Sequence, residues 1–261
     1  MKNFVEIFHD PFIWDIYRQI GNLETASEES LKKSGGVRHD FSHVSAVLGN
    51  VDQICNALGL CDADREEILI SALLHDVGNM HGRKDHHKNG ALMAEEYLNQ
   101  IDMDEQVKFR IVDSIAGHGS GSETLQGKIL ALADKLHCTA DRFYPTTRQV
   151  APEESHGVSL LMDLKSVDVS VDGDTFIIQF TSNGNFNMDE IIEYQPLIAK
   201  IFIPIKECIE SLGMKQMVLV DDIEWIVSDK VITAGVNELN QWASNNFKDG
   251  HGRDTFVTNA N

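Results

Sequence analysis

The run ILISALLHDVGN, residues 68–79, constrains the fold more than any other stretch of the chain. Its helical turns are apolar on nearly every side, so the segment must lie in a protein interior. The run ends at His75 and Asp76, and such a pair is costly to bury unless its members are hydrogen-bonded or bound to a metal ion. An isolated His-Asp pair usually forms only a buried hydrogen bond, so its meaning depends on the other residues that join it.

Apolar residues spaced three and four positions apart predict helices through the first half of the chain. Residues 41–58 carry one continuous apolar stripe. Asp10 followed by Pro11 predicts the start of a helix that runs to about residue 20. Asp64 and Glu67 have the spacing of a capping box that opens the helix of the central run. Further helices are expected at about 89–100, 104–117 and 123–143.

The pattern changes between Pro145 and Pro152. Two short runs with β character follow, SVDVSV and TFIIQF, joined by an Asp-Gly pair that predicts a hairpin turn. After them we expect a helix at about 189–212, a strand within 217–227, a helix near 231–246 and a frayed polar tail over 248–261. The prediction is a mainly α fold, with a helical domain at 1–150 and a small α+β domain at 151–261.

Composition excludes several functional classes. The net charge of −19 argues against non-specific nucleic-acid binding, which depends on a positive field. An apolar run of about 18 residues or more would indicate a membrane span, and the sequence contains none. The four cysteines stand singly, which is typical of reduced thiols in a cytoplasmic protein: Cys55, Cys61, Cys138 and Cys208.

Four further residues can join the His-Asp pair. His43 lies in the preceding predicted helix, and His86 begins the run HHKNGALMAEEYL. His118 follows the helix KFRIVDSIAG, and Asp134 lies within ILALADKLH. Each is inside a helix or near its end, and residues in such positions can converge at the centre of a helical bundle, where metal sites are commonly built.

This order, H…HD…H…H…D, resembles the HD-domain phosphohydrolase superfamily over about residues 38–142, and in its six-ligand form it resembles the dinuclear members. The resemblance implies a helical HD fold with His75 and Asp76 as the catalytic pair. It also implies a first ion on His43, His75, Asp76 and Asp134, and a second on Asp76, His86 and His118. His81 and His87 compete with His86 for the middle position.

Ligand chemistry supports two divalent ions independently of the resemblance. Four imidazoles and two carboxylates exceed the four ligands of a structural zinc site. A nitrogen and oxygen set without thiolate favours Fe or Mn, with Mg, Co, Ni and Zn as alternatives. Such ions could activate a water molecule and neutralise charge on a phosphoryl group.

Several basic residues near these ligands are candidates for substrate binding: Arg83, Lys84, Lys88, Lys135 and Arg142. Arg142 and Lys84 are preferred, and Arg142 is expected on the same helix face as Asp134, slightly more than two turns away. One departure weakens the inference of phosphate binding, because family members often have x-Gly-Lys after the HD pair. Here Asn79 occupies the position of that lysine.

The leading hypothesis is therefore a metal-dependent phosphohydrolase that acts on a nucleotide or another small phosphate ester. A non-haem di-iron oxygenase of the same fold uses the same six-ligand pattern and is the first alternative. A non-enzymatic, metal-containing sensor or interaction module is the second alternative. We expect a small phosphorylated partner, neither a nucleic acid nor a membrane, and a homodimer is compatible with the sequence.

Overall fold

The computed structural model describes residues 3–33, 36–119, 122–149, 158–187 and 195–225. Helices account for most of this part of the chain: α1 Phe4–Phe8, α2 Pro11–Thr25, α3 Glu28–Lys33, α4 Phe41–Leu58, α5 Asp62–Leu74, α6 His86–Leu98, α7 Glu105–Gly117, α8 Leu125–Leu136, α9 Val158–Leu161 and α10 Gln195–Ser211. Short 3₁₀ helices occupy Val77–His81, Ala140–Arg142 and Pro145–Gln149. The start of α2 is as predicted, since Asp10 caps it by accepting from the Phe12 amide.

Several predicted helix boundaries are wrong, among them the end of α2, which lies at Thr25 rather than near residue 20. Helix α5 begins at Asp62 with Cys61 as its cap, so Asp64 lies inside the first turn and forms no capping box. Helix α8 ends at Leu136, because His137 leaves the helical conformation with a ψ of 70°. Arg142 therefore lies on a separate 3₁₀ turn, and the predicted continuous helix that it would share with Asp134 does not exist.

Helix α5, which carries the central run, packs against α4, α7 and α8. Its residues Ile68, Leu73 and Leu74 are almost completely buried, as the apolar pattern required. Tyr17 of α2 is also buried, and its hydroxyl donates to the carbonyl oxygen of Leu73. The end of α5 is consequently held at the centre of the bundle, which places His75 and Asp76 in the interior.

The sheet has the strand order β1-β2-β3-β4, with β1 Leu164–Asp172, β2 Thr175–Ser182, β3 Lys215–Val220 and β4 Ile223–Glu224. Strands β1 and β2 form the predicted antiparallel hairpin, with Asp172 opposite Thr175 and a left-handed Gly173 at the turn. Strand β3 runs parallel to β2 after α10. The predicted single strand at 217–227 is two short strands, because the chain turns at Asp221 and Asp222 and β4 folds back on β3.

The sheet packs onto the bundle through α4, and α10 packs against α8. The side chain of Gln53 on α4 forms hydrogen bonds with the backbone of β1, as a neighbouring strand would. Its amide group donates to the carbonyl oxygen of Val167 and accepts from the amide of Val169. Buried side chains of the bundle and the sheet belong to one hydrophobic core. The predicted boundary at 150/151, the helix near 231–246 and the tail at 248–261 lie outside the described residues.

The architecture is mainly helical, with a small four-stranded sheet in the C-terminal part, and the predicted fold class is confirmed. Within the described residues, no helix combines the length and the apolar character that crossing a bilayer requires.

Candidate metal centre

The six predicted ligands converge in the bundle interior as two groups of three. Within each group, one ligand atom per residue lies within 4.8 Å of the others. The first group is His43, His75 and Asp134, and the second is Asp76, His86 and His118. Two such groups side by side match the number of ligands that two neighbouring divalent ions need from a protein.

Each ligand lies at or near the end of a helix. His43 is in the first turn of α4, which Asp40 caps by accepting from the Ser42 amide. His75 and His118 are the residues that end α5 and α7. The remaining ligands are Asp76, directly after α5, His86, which begins α6, and Asp134, in the last turn of α8.

Gly78 brings the start of α6 against the turn that follows the His-Asp pair. A Cβ atom on this residue would lie 2.0 Å from the carbonyl oxygen of His86 and 2.4 Å from the amide nitrogen of Gly90. No side chain fits in that space, so only glycine allows the two backbones to approach so closely. This contact carries His86 towards Asp76.

Asp76 lies between the two groups and presents a different carboxylate oxygen to each. Its Oδ2 lies 3.2 Å from Nε2 of His43 and 3.4 Å from Nε2 of His75. Its Oδ1 lies 3.7 Å from Nε2 of His86. A carboxylate in this position can bridge two ions. Asp134 completes the first group, with its Oδ1 3.1 Å from Nε2 of His43.

The outer nitrogen of each ligand imidazole is already paired. Nδ1 of His75 lies 2.7 Å from the carbonyl oxygen of Ala72. The corresponding distance is 2.9 Å between His86 and Arg83, and 2.6 Å between His118 and Ile115. Nδ1–H donates in each of these pairs, so Nε2 keeps its lone pair for the centre. Such outer hydrogen bonds orient the imidazoles of metal sites and fix their tautomers.

The protonation state suits cations as well. Burial would raise the pKa of Asp76, but the charge of His75 and a hydrogen bond from His43 hold it well below its usual value. Burial would likewise raise the pKa of Asp134, but the hydrogen bond from His43 and the nearby positive charges, including that of Arg142, together hold it well below its usual value. Burial lowers the pKa of His118 to about 3 and also lowers that of His86. Ionised carboxylates and neutral imidazoles are the forms that bind metal ions, and the pKa shifts of Asp76, Asp134, His86 and His118 favour those forms. The donor set of the two groups therefore fits divalent cations.

The structure places His86, rather than His81 or His87, with the other ligands. His86 is partly exposed at the start of α6, and its Nε2 faces Asp76. His87 is buried beside the ring of His118 but belongs to neither ligand group in the described part of the chain. His81 is exposed at the end of the 3₁₀ helix Val77–His81.

The five candidate substrate-binding cations differ in position. Arg142 is half-buried, and after burial the charges of Asp134 and Asp76 have the largest effects on its pKa. Arg83 is exposed, and its Nη1 lies 3.5 Å from Oδ1 of Asn79. Lys84 and Lys88 are exposed, and Lys88 pairs with Asp85 at 2.9 Å. Lys135 is half-buried and donates to the carbonyl oxygen of His118 at 3.4 Å. The charge of Arg142 lowers the pKa of Asp134 and that of Arg83 lowers the pKa of His86, so both guanidinium groups act on the centre.

Sequence reasoning missed His137, which supports a ligand from outside the centre. Its ring stacks on that of His43 with an interplanar angle of 10°, and their Nδ1 atoms are 2.9 Å apart. His137 in turn lies 3.4 Å from Oδ1 of Asp141. The ligand pattern contains no position for this residue, and only the abrupt end of α8 brings it there.

A second missed set lies on the other side of His43. Glu24 of α2 accepts hydrogen bonds from His39 and Tyr144, although the three residues are far apart in the sequence. An antiparallel bridge between Val37 and Phe143 joins the chain before α4 to the chain after α8. The spacing of histidines and carboxylates gave no signal for this arrangement.

A groove of about 680 Å³ lies on a different face of the bundle, between α1, α4 and α5. Phe4, Phe8, Leu48, Asp52 and Glu66 are among its lining residues. None of the six ligands lines this groove, so its size does not bear on the metal centre.

The comparison with family models agrees with this geometry. Residues 40–139 match the family model of the HD domain. No curated protein matches the chain. Among the solved structures that match is a predicted HD superfamily hydrolase from an uncultured Thermotogales bacterium. It is 27% identical over 49% of this chain and 67% of that chain, with a TM-score of 0.38.

The matched range contains all six residues of the two ligand groups, and it ends three residues before Arg142. The resemblance inferred from the order of histidines and aspartates is therefore confirmed by the family match. Residues 40–139 are thus identified as an HD domain.

Proposed function

We propose that the protein is a metal-dependent hydrolase that acts on a small phosphate ester, with a nucleotide as the leading candidate. The HD domain and its two ligand groups support metal-dependent hydrolysis. The proposal of a phosphate ester rests on the cationic residues beside the centre, because a chain of net charge −19 must concentrate positive charge locally to hold an anion.

The observation that carries the proposal is the position of Asp76 between the two groups. Its two oxygens face different sets of imidazoles, at 3.2 Å from His43 and 3.7 Å from His86. Bound divalent ions would supply Lewis acidity towards a phosphoryl oxygen and would lower the pKa of a water molecule. The chain contributes the orientation of the imidazoles and the two ionised carboxylates that make the site selective for cations.

Substrate orientation is assigned to the cations outside the ligand groups. Arg142 comes from the turn after α8 and Arg83 from the turn before α6, so they approach from different elements. Guanidinium groups hold phosphate oxygens through paired hydrogen bonds, which fixes the direction of the ester. We assign contacts with the outer part of a larger substrate to Lys84, Lys88 and Lys135.

The test is a panel of phosphomonoesters, phosphodiesters and nucleotides, assayed with Mn²⁺ or Fe²⁺ both in air and under anaerobic conditions. The proposal predicts phosphate or nucleotide release at equal rates with and without O2. Turnover that stops without O2 and consumes it stoichiometrically would instead establish the oxygenase alternative.

A pair of variants ties any activity to the centre. Asp76→Ala should lose both ions and reduce turnover to background, because the carboxylate that faces both groups is gone. His81→Ala is the matched control, since its side chain is exposed and outside both ligand groups. It should retain metal and activity. Full metal content in Asp76→Ala would refute the shared role of the carboxylate.

A further inference from the structure

A buried imidazole beside the centre is held in one orientation although it belongs to neither ligand group. The ring of His39 is completely buried and lies edge-on to that of His43, with the centroids 5.9 Å apart. Nδ1 of His39 lies 2.5 Å from Oε1 of Glu24. The amide of His39 also donates to Oε2 of Glu24 at 3.1 Å. The carboxylate of Glu24 thus holds both the ring and the backbone amide of His39.

The hydrogen bonds around Glu24 define the tautomer of His39. Oε2 of Glu24 accepts from the His39 amide and from the Tyr144 hydroxyl, the latter at 2.9 Å, which leaves Oε1 for the imidazole. Burial raises the pKa of Glu24, and these two bonds oppose that effect. Burial also holds the pKa of His39 well below its ordinary value. A neutral ring that donates Nδ1–H to a carboxylate carries its lone pair on Nε2.

The chain after α8 brings Arg142 to the same place. The amide of Arg38 donates to the carbonyl oxygen of Arg142 at 2.8 Å, beside the bridge between Val37 and Phe143. His39 follows Arg38, and Arg142 precedes Phe143, so the paired backbone segments bring the two residues to the same place. The charges of Arg142 and Arg83 lower the pKa of His39 and that of Asp76 raises it, so all three lie within electrostatic reach of the ring.

Nε2 of His39 and Nη1 of Arg142 are buried and have no hydrogen-bond partner among the described residues. Nε2 of His137 is buried in the same way, but it lies 3.4 Å from Oδ1 of Asp141. Burying such atoms without a partner costs free energy, and folded proteins seldom leave them so without a functional reason. Nε2 of His39 is an acceptor and Nη1 of Arg142 a donor. The ring of His39 lies against that of His43, and the charge of Asp134 acts on Arg142. The side chain of Asp134 is 23% exposed.

We propose that Nε2 of His39 and Nη1 of Arg142 form one substrate subsite, which binds a phosphoryl group through a P–O–H donor and an anionic oxygen together. This inference rests on the proposed function, since it specifies how the phosphate ester is recognised. Glu24 acts as a positioning residue, because it sets which nitrogen of His39 carries the hydrogen.

The subsite should distinguish two anions of similar size and shape. Inorganic phosphate carries an ionisable hydroxyl near neutral pH, which can donate to the lone pair of His39. Sulfate has no such hydroxyl and would place an oxygen lone pair against that of Nε2. We therefore expect the protein to bind phosphate more tightly than sulfate, although both anions can pair with Arg142.

The experiment measures equilibrium binding of inorganic phosphate and of sulfate to the Mn²⁺-loaded full chain by calorimetry, at mildly acidic pH. We expect a preference for phosphate of at least about tenfold, which corresponds to about 1.4 kcal/mol. Arg142→Ala should weaken both anions by a similar factor and leave the preference in place. The exposed His81→Ala should change neither affinity.

Two variants test the tautomer directly. His39→Ala should remove the preference, leaving the two affinities within about threefold. In Glu24→Gln the amide oxygen replaces Oε2 as acceptor for the His39 amide and Tyr144, and the NH₂ group then donates to Nδ1. Nε2 of His39 would carry the hydrogen, so sulfate should bind as well as phosphate or better. This nearly isosteric change keeps the test valid even where His39→Ala fails to fold.

Equal binding of the two anions by the parent protein would overturn the inference. A preference that survives both His39→Ala and Glu24→Gln would overturn it as well. These measurements are independent of turnover. Discrimination without hydrolysis of any phosphate ester would retain the subsite and reject the proposed function, whereas hydrolysis without discrimination would retain the function and reject the subsite.

Discussion

The helical bundle and the C-terminal sheet bury different kinds of residue. All the buried polar and charged side chains found in the described residues lie between Glu24 and Thr147, and six of them are histidines. The described residues of the sheet and α10 bury apolar side chains instead, such as Phe176, Ile178 and Phe180. Buried polar groups reduce stability unless they are satisfied, so their concentration in one region indicates where the chemistry lies.

The helical bundle and the C-terminal sheet therefore have different roles. The bundle holds carboxylates and imidazoles in the interior, at a cost in free energy that bound cations would offset. The sheet contributes apolar burial against α4, which carries His43, and α10 packs against α8, which carries Asp134. Substitutions in the sheet should therefore change stability, and substitutions around the centre should change metal or substrate affinity.

The largest expected effect is on stability and comes from the sheet. Phe180 is completely buried in β2 and packs edge-on against Phe202, with the ring centroids 5.9 Å apart. Phe180→Ala should lower the free energy of unfolding by about 3–5 kcal/mol, measured by denaturant titration. The molecules that remain folded should keep the metal content of the parent protein. Loss of metal from folded protein would show that the sheet helps to shape the centre.

A smaller effect is expected from His137, the outer partner of His43. His137→Ala should weaken the binding of one ion by about 10–100-fold, the usual range for such outer partners. Competition with a chelator measures this affinity, and circular dichroism checks that the helices are intact. His9→Ala, an exposed histidine on the far end of α1, is the control. Unchanged metal affinity would mean that the stacking of His137 on His43 is only structural.

The smallest of the three effects concerns substrate rather than metal. Arg142→Ala should reduce kcat/KM for a phosphate ester by about tenfold, equivalent to about 1.4 kcal/mol, with the metal content unchanged. Arg142→Lys should restore only part of this loss, because an ammonium group cannot form the paired contacts of a guanidinium. Equal kinetics in all three proteins would shift the assignment to Arg83 and Lys84.

Much of the difference between the bundle and the sheet could be predicted from the pattern of residues in the sequence. The apolar run before His75 required burial, and the order of histidines and aspartates predicted the six residues that gather in the interior. The hairpin of β1 and β2 followed from the Asp-Gly pair. The buried run and the hairpin depend on short-range spacing, and the ligand set depends on the order of residue types along the chain. A single sequence displays both.

Features set by the exact end of a helix or by long-range pairing were not predictable. Helix α8 stops at Leu136, which moves Arg142 to a separate turn and brings His137 onto His43. The pairing of Val37 with Phe143 joins positions more than a hundred residues apart, and neither has a distinctive local pattern. The same holds for Glu24, which meets His39 and Tyr144 only in the folded chain.

The central claim is that one carboxylate joins two ion sites, and metal stoichiometry tests it most directly. The protein is purified without oxygen, stripped with a chelator, reloaded with Mn²⁺ and analysed for manganese per chain, in parallel with Asp76→Ala. The account predicts two ions per chain in the parent protein and none in the variant. One ion or none in the parent protein, or two in Asp76→Ala, would contradict it.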